Sequence, residues 1–172
     1  MPEIVVKIDG LDAVRERLNE VAKRMENLSP IMKAIGERIT RQTWERFNAG
    51  GPAPDGSPWA KPKSPNPKRR GTLRVTDMLR DSINYRLRGS NAVEVGTNLV
   101  YAAIHQFGGR TSPRTILPSR KKALFWPGAA HPVRSVKHPG SVIPARPFLG
   151  VSADNSAELL GLIDEWIMNG RS

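Results

Sequence analysis

Three observations predict an α+β fold with an antiparallel sheet. Apolar residues recur at intervals of three and four in two N-terminal stretches and one C-terminal stretch. Two short stretches in the middle alternate apolar with polar residues. These signals follow one another as β-α-α-loop-β-β-loop-α, segregated rather than alternating as in a parallel α/β fold. With 172 residues the chain is long enough for one domain with its own core. The predicted layout is a single domain, 1–172, whose sheet is covered by two N-terminal helices and a C-terminal helix. Two extended basic arms or loops, 50–71 and 110–138, interrupt it.

Residues 3–8 read as a short strand, because Ile4, Val5, Val6 and Ile8 are β-branched, and Asp9-Gly10 ends it. Leu11, Val14, Leu18, Val21, Met25 and Leu28 then lie on one helical face. Such a stripe is core, or else the contact face for a neighbouring subunit. Ser29 as N-cap and Pro30 as first helical residue open a second helix, with Ile31, Ile35, Ile39, Thr43 and Phe47 inward and Trp44 beside them. It stops at Ala49-Gly50-Gly51.

Six prolines between Gly50 and Gly71 forbid helix and central strand there, and an extended, mobile arm is expected. Thr76 is the expected cap of a short helix. Ile83, Tyr85 and Leu87, then Val93 and Val95, alternate across the turn residues Gly89-Ser90-Asn91, a β-hairpin pattern with one buried face. A short helix or turn over 101–107 halts at Gly108-Gly109. In the second loop, Leu124-Phe125-Trp126 and residues 133–136 suggest a small hairpin. Ser152 is the expected N-cap of a last helix, with Asp154 in its first turn and Leu159, Leu160, Ile163, Trp166 and Ile167 on its apolar face.

The net charge of +11 is unevenly placed. From Lys61 to Arg146 there are 17 Lys/Arg against three acids, Asp77, Asp81 and Glu94, a net of +14, and the remainder of the chain is slightly acidic. A field this concentrated attracts nucleic acid or an acidic protein surface. The candidate contacts are Lys61, Lys63, Lys68, Arg69, Arg70, Arg114, Arg120, Lys121 and Lys122. Only Trp59, Phe125 and Trp126 supply aromatics in these loops, so DNA would be met through phosphate and long-range field rather than by base stacking.

Catalytic chemistry has little to stand on. Cys is absent, which removes disulfides, thiolate nucleophiles and Cys-based zinc sites. The three His have no neighbouring acids at ligand spacing, so no metal or cofactor is expected. No nucleophile elbow, phosphate-binding loop or dinucleotide fingerprint occurs. The acidic pairs lie on solvated helical faces, and His105 reads as a packed, hydrogen-bonded turn residue. No enzyme activity is expected. No apolar run approaches a membrane span, and residues 1–6 do not read as a signal peptide.

Three stretches carry a resemblance. They are Pro54-Asp55-Gly56-Ser57-Pro58-Trp59; Val95-Gly96-Thr97 followed by Tyr101-Ala102-Ala103-Ile104-His105-Gln106-Phe107-Gly108-Gly109; and Ile143-Pro144-Ala145-Arg146-Pro147-Phe148-Leu149-Gly150. In this order and spacing the chain resembles the phage virion morphogenesis family, which includes tail-completion proteins. A related pattern, Tyr-Ala-x-x-x-Glu-Phe-Gly, marks another group of phage neck and tail proteins, and Gln106 stands here in place of its Glu. The resemblance implies a structural subunit at the tail or head–tail junction of the virion, assembled in the host cytoplasm. It also implies a homo-oligomeric ring, expected to be a hexamer, touching neighbouring neck and tail proteins, with DNA in the lumen. The alternative is a non-specific nucleic-acid-binding protein.

The residues of those motifs have a physical reading of their own. Tyr101, Ile104 and Phe107 fall on one helical face and are expected to be buried together, with His105 and Gln106 at the rim. Pro144 and Pro147 stiffen an extended segment that Phe148 and Leu149 anchor, and Arg146 between them is expected to pair with an acid. The rigid edges so formed, including Gly108 and Gly109, suit a subunit interface.

Overall fold

The computed structural model describes residues 10–62, 70–119, 122–126 and 130–170. The strand expected over 3–8 lies outside the described residues. The elements are α1 (Asp12–Met25), α2 (Ser29–Ala49), α3 (Met78–Asp81), β1 (Asn84–Arg88), β2 (Ala92–Gly96), α4 (Ala102–Phe107), β3 (Gly109–Arg110), β4 (Arg114–Ile116), β5 (Val136–His138), β6 (Val142–Ile143) and α5 (Ala153–Asn169). The class is α+β with short antiparallel sheets and helices at both ends, as the periodicities predicted.

The body forms around α2. Its apolar face buries Ile31, Thr43 and Phe47, while Trp44 stays 41% exposed. Leu28 occupies the N-cap position, and the Asn27 side chain accepts from the Ser29 N–H at 3.0 Å, so Asn27 rather than Ser29 satisfies the helix start. The β1–β2 hairpin expected from the alternation lies across α2, with Tyr85 opposite Val95 and Leu87 opposite Val93. Ile83, one residue before β1, is fully buried. On the other side α5 packs against α2. Ser152 caps α5 in a capping box with Asn155, as its sequence predicted.

Two helices turn differently from expectation. The α1 stripe is not core: Leu11, Val14, Leu18 and Met25 are all exposed, and no residue of the helix is buried. Among the described residues its C-terminal end meets the body, where Arg24 donates to the Ile167 carbonyl at 2.8 Å. In α5, Leu160 points outward, 60% exposed, and Leu162 takes the inward position. The short helix α3 is preceded by Asp77, not Thr76, in a left-handed conformation that Asp tolerates. The Arg74 guanidinium, hydrogen-bonded at 2.7 Å with Arg80 and Arg70 nearby, holds the Asp77 carboxyl below the usual carboxylate range.

The 110–138 region is more ordered than a loop. Gly109↔Ile143 and Arg110↔Val142 pair in one two-stranded sheet, and Arg114↔His138, Thr115↔Lys137 and Ile116↔Val136 in another, all antiparallel. Thr111 N donates to Ser141 O at 2.9 Å between them, in the same register. One continuous ribbon therefore runs out from the body. Its ladder breaks where Pro113 stands opposite Pro139, because neither has an N–H to give. Farther out, Leu124 and Val133 exchange both backbone hydrogen bonds, close to the small hairpin expected there.

The hairpin's contact with α2 depends on Gly36. A Cβ there would sit 2.7 Å from the Tyr85 ring and 2.8 Å from a Val93 methyl. In an exposed helix Gly→Ala stabilises by ~1 kcal/mol. Here the clash reverses the sign. Gly36→Ala should destabilise by about 1–3 kcal/mol in urea unfolding, the usual cost of overpacking. A stabilised variant would mean that the hairpin does not rest on this face.

Candidate functional site

The three sequence stretches that carry the family resemblance meet in space, around a backbone segment with no strand beside it among the described residues. Residues 144–149 run extended between two prolines, so their carbonyls and N–H groups need partners from elsewhere. Gln106 supplies three of them. Its Oε1 accepts from Phe148 N and Leu149 N, both at 3.0 Å, and its Nε2 donates to Leu149 O at 3.0 Å. Arg46 donates to Phe148 O at 2.6 Å and Trp59 Nε1 to Pro147 O at 2.9 Å. Arg146 N donates to the His105 carbonyl at 2.7 Å, and the Arg146 Nε donates to Ala60 O at 2.7 Å. An acid was expected to meet Arg146, and its Nε bonds the Ala60 carbonyl.

Packing reinforces this clasp. Phe148 is fully buried, its ring 5.2 Å from that of Phe47, and Trp59 meets Phe47 edge-on at 5.7 Å. Two glycines allow the close approach. Gly108, at φ 72, lies where a Cβ would come within 2.8 Å of Ala145 N. Gly150, at φ 146, lies where one would come within 2.6 Å of Pro54. Pro54 belongs to a tight turn in which Asp55 Oδ1 accepts from Ser57 N and Oγ. That turn carries Ala53 and Trp59 into the core, so 51–59 is an anchored corner and not part of a mobile arm.

The face of α4 is therefore rotated from the predicted one. Tyr101 and Phe107 are exposed, at 43% and 78%, and Ala102 is buried. Gln106 turns inward because the Phe148 and Leu149 amides must be met from this helix. His105 is half-buried. Its Nδ1 is buried without a hydrogen-bond partner among the described residues, contrary to the bonded turn residue expected. Burial pushes its imidazole below the usual range, and the Arg146 cation adds to the shift. His105 and Tyr101 line an open cleft with Met78, Val142 and Arg146, and no carboxylate stands among the described lining residues.

The clasp is also the root of the ribbon. Gly108-Gly109 leads straight into its first strand, and Ile143-Pro144 leads back from its last. Arg46 and Asn155 complete the clasp, Arg46 bonding Asn155 at 3.2 Å, and neither was singled out from sequence. Burial lowers the Arg46 pKa from its ordinary value. A buried cation three residues from the end of an otherwise apolar helical face was the available signal.

The expected basic contacts fall into two places. Lys61 and Arg70 are exposed on the body, with Arg70 at 3.2 Å from Asp77. Arg114 and Lys122 are exposed on the ribbon. Lys63, Lys68, Arg69, Arg120 and Lys121 lie outside the described residues. The three acids of the basic segment all sit on the body. Asp77 and Asp81 meet Arg74 and Arg80, and Glu94 meets Arg88 at 2.9 Å and Arg86 at 3.4 Å. Between Glu94 and Asp154 there is no acid at all, so residues 109–143 carry seven unopposed cations, half of the segment's net +14.

With that geometry in place, the comparisons are decisive. The profile of the phage virion morphogenesis family matches residues 9–168. The chain belongs to the phage virion morphogenesis family. A relative described as Mu-like prophage FluMu G protein 2, from Haemophilus influenzae, is 30% identical over 165 residues, covering 95% of each chain. No solved structure matches. Family membership makes this a protein of phage virion morphogenesis with a structural role, and the clasp that joins its three shared stretches is a positioning device.

Two outcomes test the clasp. Gln106→Leu strips the Phe148 and Leu149 amides of their acceptor and should cost about 2–4 kcal/mol, at ~1–3 kcal/mol per buried unpaired group. Gln106→Glu keeps the accepting oxygen and loses only the donor, so urea unfolding should place it between Leu and wild type. Equal losses would show that acceptance by Gln106 is not what holds the segment.

His105 sets a pH dependence. In the unfolded chain it titrates near ~6.5, and in the folded protein lower. The folded state binds fewer protons between those two values, so stability is complete above ~6.5 and declines as pH falls towards the folded pKa. Tm measured from pH 7.5 to 5 should fall, and His105→Gln should flatten the fall. An NMR titration placing His105 above 6.5 contradicts the burial argument.

Proposed function

We propose that this protein is a non-enzymatic subunit that completes the tail of a phage particle or joins it to the head, working as a homo-oligomeric ring. The observation that carries the reading is a body on which two surfaces stand exposed among the described residues. One is the α1 stripe of Leu11, Val14, Leu18 and Met25. The other is the basic ribbon rooted in the clasp. Exposed apolar stripes mark protein contacts, and a ribbon held firmly at its root can reach a neighbour without first having to fold. Family membership and the prophage relative support the particle context.

A free nucleic-acid binder fits less well. Trp59, one of the three aromatics available for stacking, is a core residue hydrogen-bonded to Pro147. That leaves Phe125 and Trp126 side by side on the ribbon, too few for a platform. DNA passing through a ring would meet the ribbons through charge alone.

The decisive experiment is genetic. A phage lacking this gene should yield heads and tails that fail to join, or unfinished tails. Protein supplied in trans should raise infectious particles by several orders of magnitude, and electron microscopy of the particle should show its density in the tail or at the neck. Normal particle yield without the protein would sink the reading.

A further inference from the structure

The ribbon and the last helix carry opposite charge in a pattern too complete to be left to solvent. Residues 109–143 hold seven Lys/Arg and no acid. The helix α5 holds four acids, Asp154, Glu158, Asp164 and Glu165, and no Lys/Arg, in a chain of net charge +11. Glu158 is occupied by Arg38 and Gln42 of α2. The other three lie exposed on the outer side of α5, alongside Leu160 and Met168, each 60% exposed. At 100° per residue these five positions fall within an arc of roughly 140°, opposite the Trp166 side that faces α2. Ala157 and Gly161 lie in the middle of the arc, and a Cβ on Gly161 would meet nothing within 4 Å. The outer face is thus a shallow apolar strip with acids along it.

The ribbon presents the matching pattern. Paired residues share a face, so Arg110 with Val142, Arg114 with His138 and Ile116 with Val136 lie on one side of it. That side carries Arg110 and Arg114 together with Val142, Ile116 and Val136, with His138 opposite Arg114, and Val142 is 66% exposed. Arg110 and Arg114 are about 13 Å apart along a strand, at ~3.3 Å per residue. Asp154 and Glu165 are about 16 Å apart along a helix, at ~1.5 Å per residue, and share one side of it. The two surfaces agree in charge, apolar content and spacing.

We propose that the ribbon of one copy docks on the outer face of α5 of a second copy of this chain. The strands β4 and β5 pack chiefly on one another, which leaves their Arg114 side free for another molecule. Because the two patches differ, the contact is head-to-tail, and repetition either closes a ring or extends a filament. The apolar residues decide against nucleic acid as the occupant: a phosphate backbone would leave Val142, Ile116 and Val136 uncovered. This contact rests on the reading of the protein as a self-assembling particle subunit, and it supplies that reading with an interface.

Charge reversal tests it with the full-length protein. Sedimentation and light scattering at low salt should show concentration-dependent self-association of the wild type. R110E/R114E and D154K/E165K should each keep the circular dichroism and cooperative melting of the wild type, because all four side chains are exposed, yet associate roughly tenfold more weakly or worse. The chain carrying all four changes should recover, since its acidic ribbon faces a basic helix on the next copy. That recovery separates a contact from a folding defect. Reversed variants that associate like wild type overturn the proposal. So do a four-fold variant that stays dissociated, a wild type that remains monomeric at every concentration, and association that appears only with duplex DNA. If the reversed variants associate normally while protein supplied in trans still restores particles, the ribbon contact is wrong and the particle role stands. If trans supply also fails, both are wrong.

Discussion

The structure depends on how the backbone of residues 146–149 is satisfied. Two prolines keep this segment extended, and no strand among the described residues lies beside it. An extended chain entering a core without a ladder would bury unpaired amides and carbonyls at ~1–3 kcal/mol each. Gln106 answers two amides and one carbonyl with a single side chain. Arg46 and Trp59 answer the carbonyls of Phe148 and Pro147. These donors come from three different elements, so the segment ties α2, the proline corner and α4 together. The Phe47–Trp59–Phe148 cluster fills the space those bonds define.

Most of the fold could be read in the sequence because most of it is periodic. The α2 face, the hairpin and the Ser152 cap each follow from local chemistry that tertiary context left alone. What failed was rotation. The predicted α4 face buried Tyr101 and Phe107 on apolar grounds, yet a glutamine turned inward because three backbone groups outweigh one aromatic contact. The α1 stripe was legible as a stripe, but whether it meets its own core or another molecule is not encoded in its spacing. The 110–138 region read as a loop with one small hairpin because Pro113, Pro118, Pro127 and Pro132 punctuate it. Only the register shows that Pro113 and Pro139 face each other in one ribbon.

The candidate site was half legible for the same reason. The shared stretches named Gln106, Gly108, Arg146, Pro147 and Phe148, but as rigid edges rather than as partners of one another. Gly108 and Gly150 show why the stretches go together. Each is small because a residue of another stretch occupies the place of its side chain. Arg46 and Asn155 escaped notice because a lone Arg or Asn on a helix is ordinarily solvated, and only long-range contact gives them a role.

The clasp and the ribbon are two parts of one device. The residues that hold the ribbon's root, Gln106 and Gly108 on one side and Pro144 and Arg146 on the other, are continuous in sequence with its first and last strands. A ribbon of two strands is marginal by itself, with little core to hold it. Fixing both feet within hydrogen-bonding distance of each other removes most of the loop-closure cost, which is why a proline-interrupted ladder persists. The same arrangement explains the charge. Every acid that could neutralise the basic segment sits on the body, where Asp77, Asp81 and Glu94 are already matched by arginines. In the proposed contact the ribbon keeps its positive charge for another copy, and its root is fixed before that copy arrives. A contact made by a preorganised element loses less conformational entropy than one made by a flexible loop. Several weak charged contacts repeated between copies can then hold an assembly that no single one of them would.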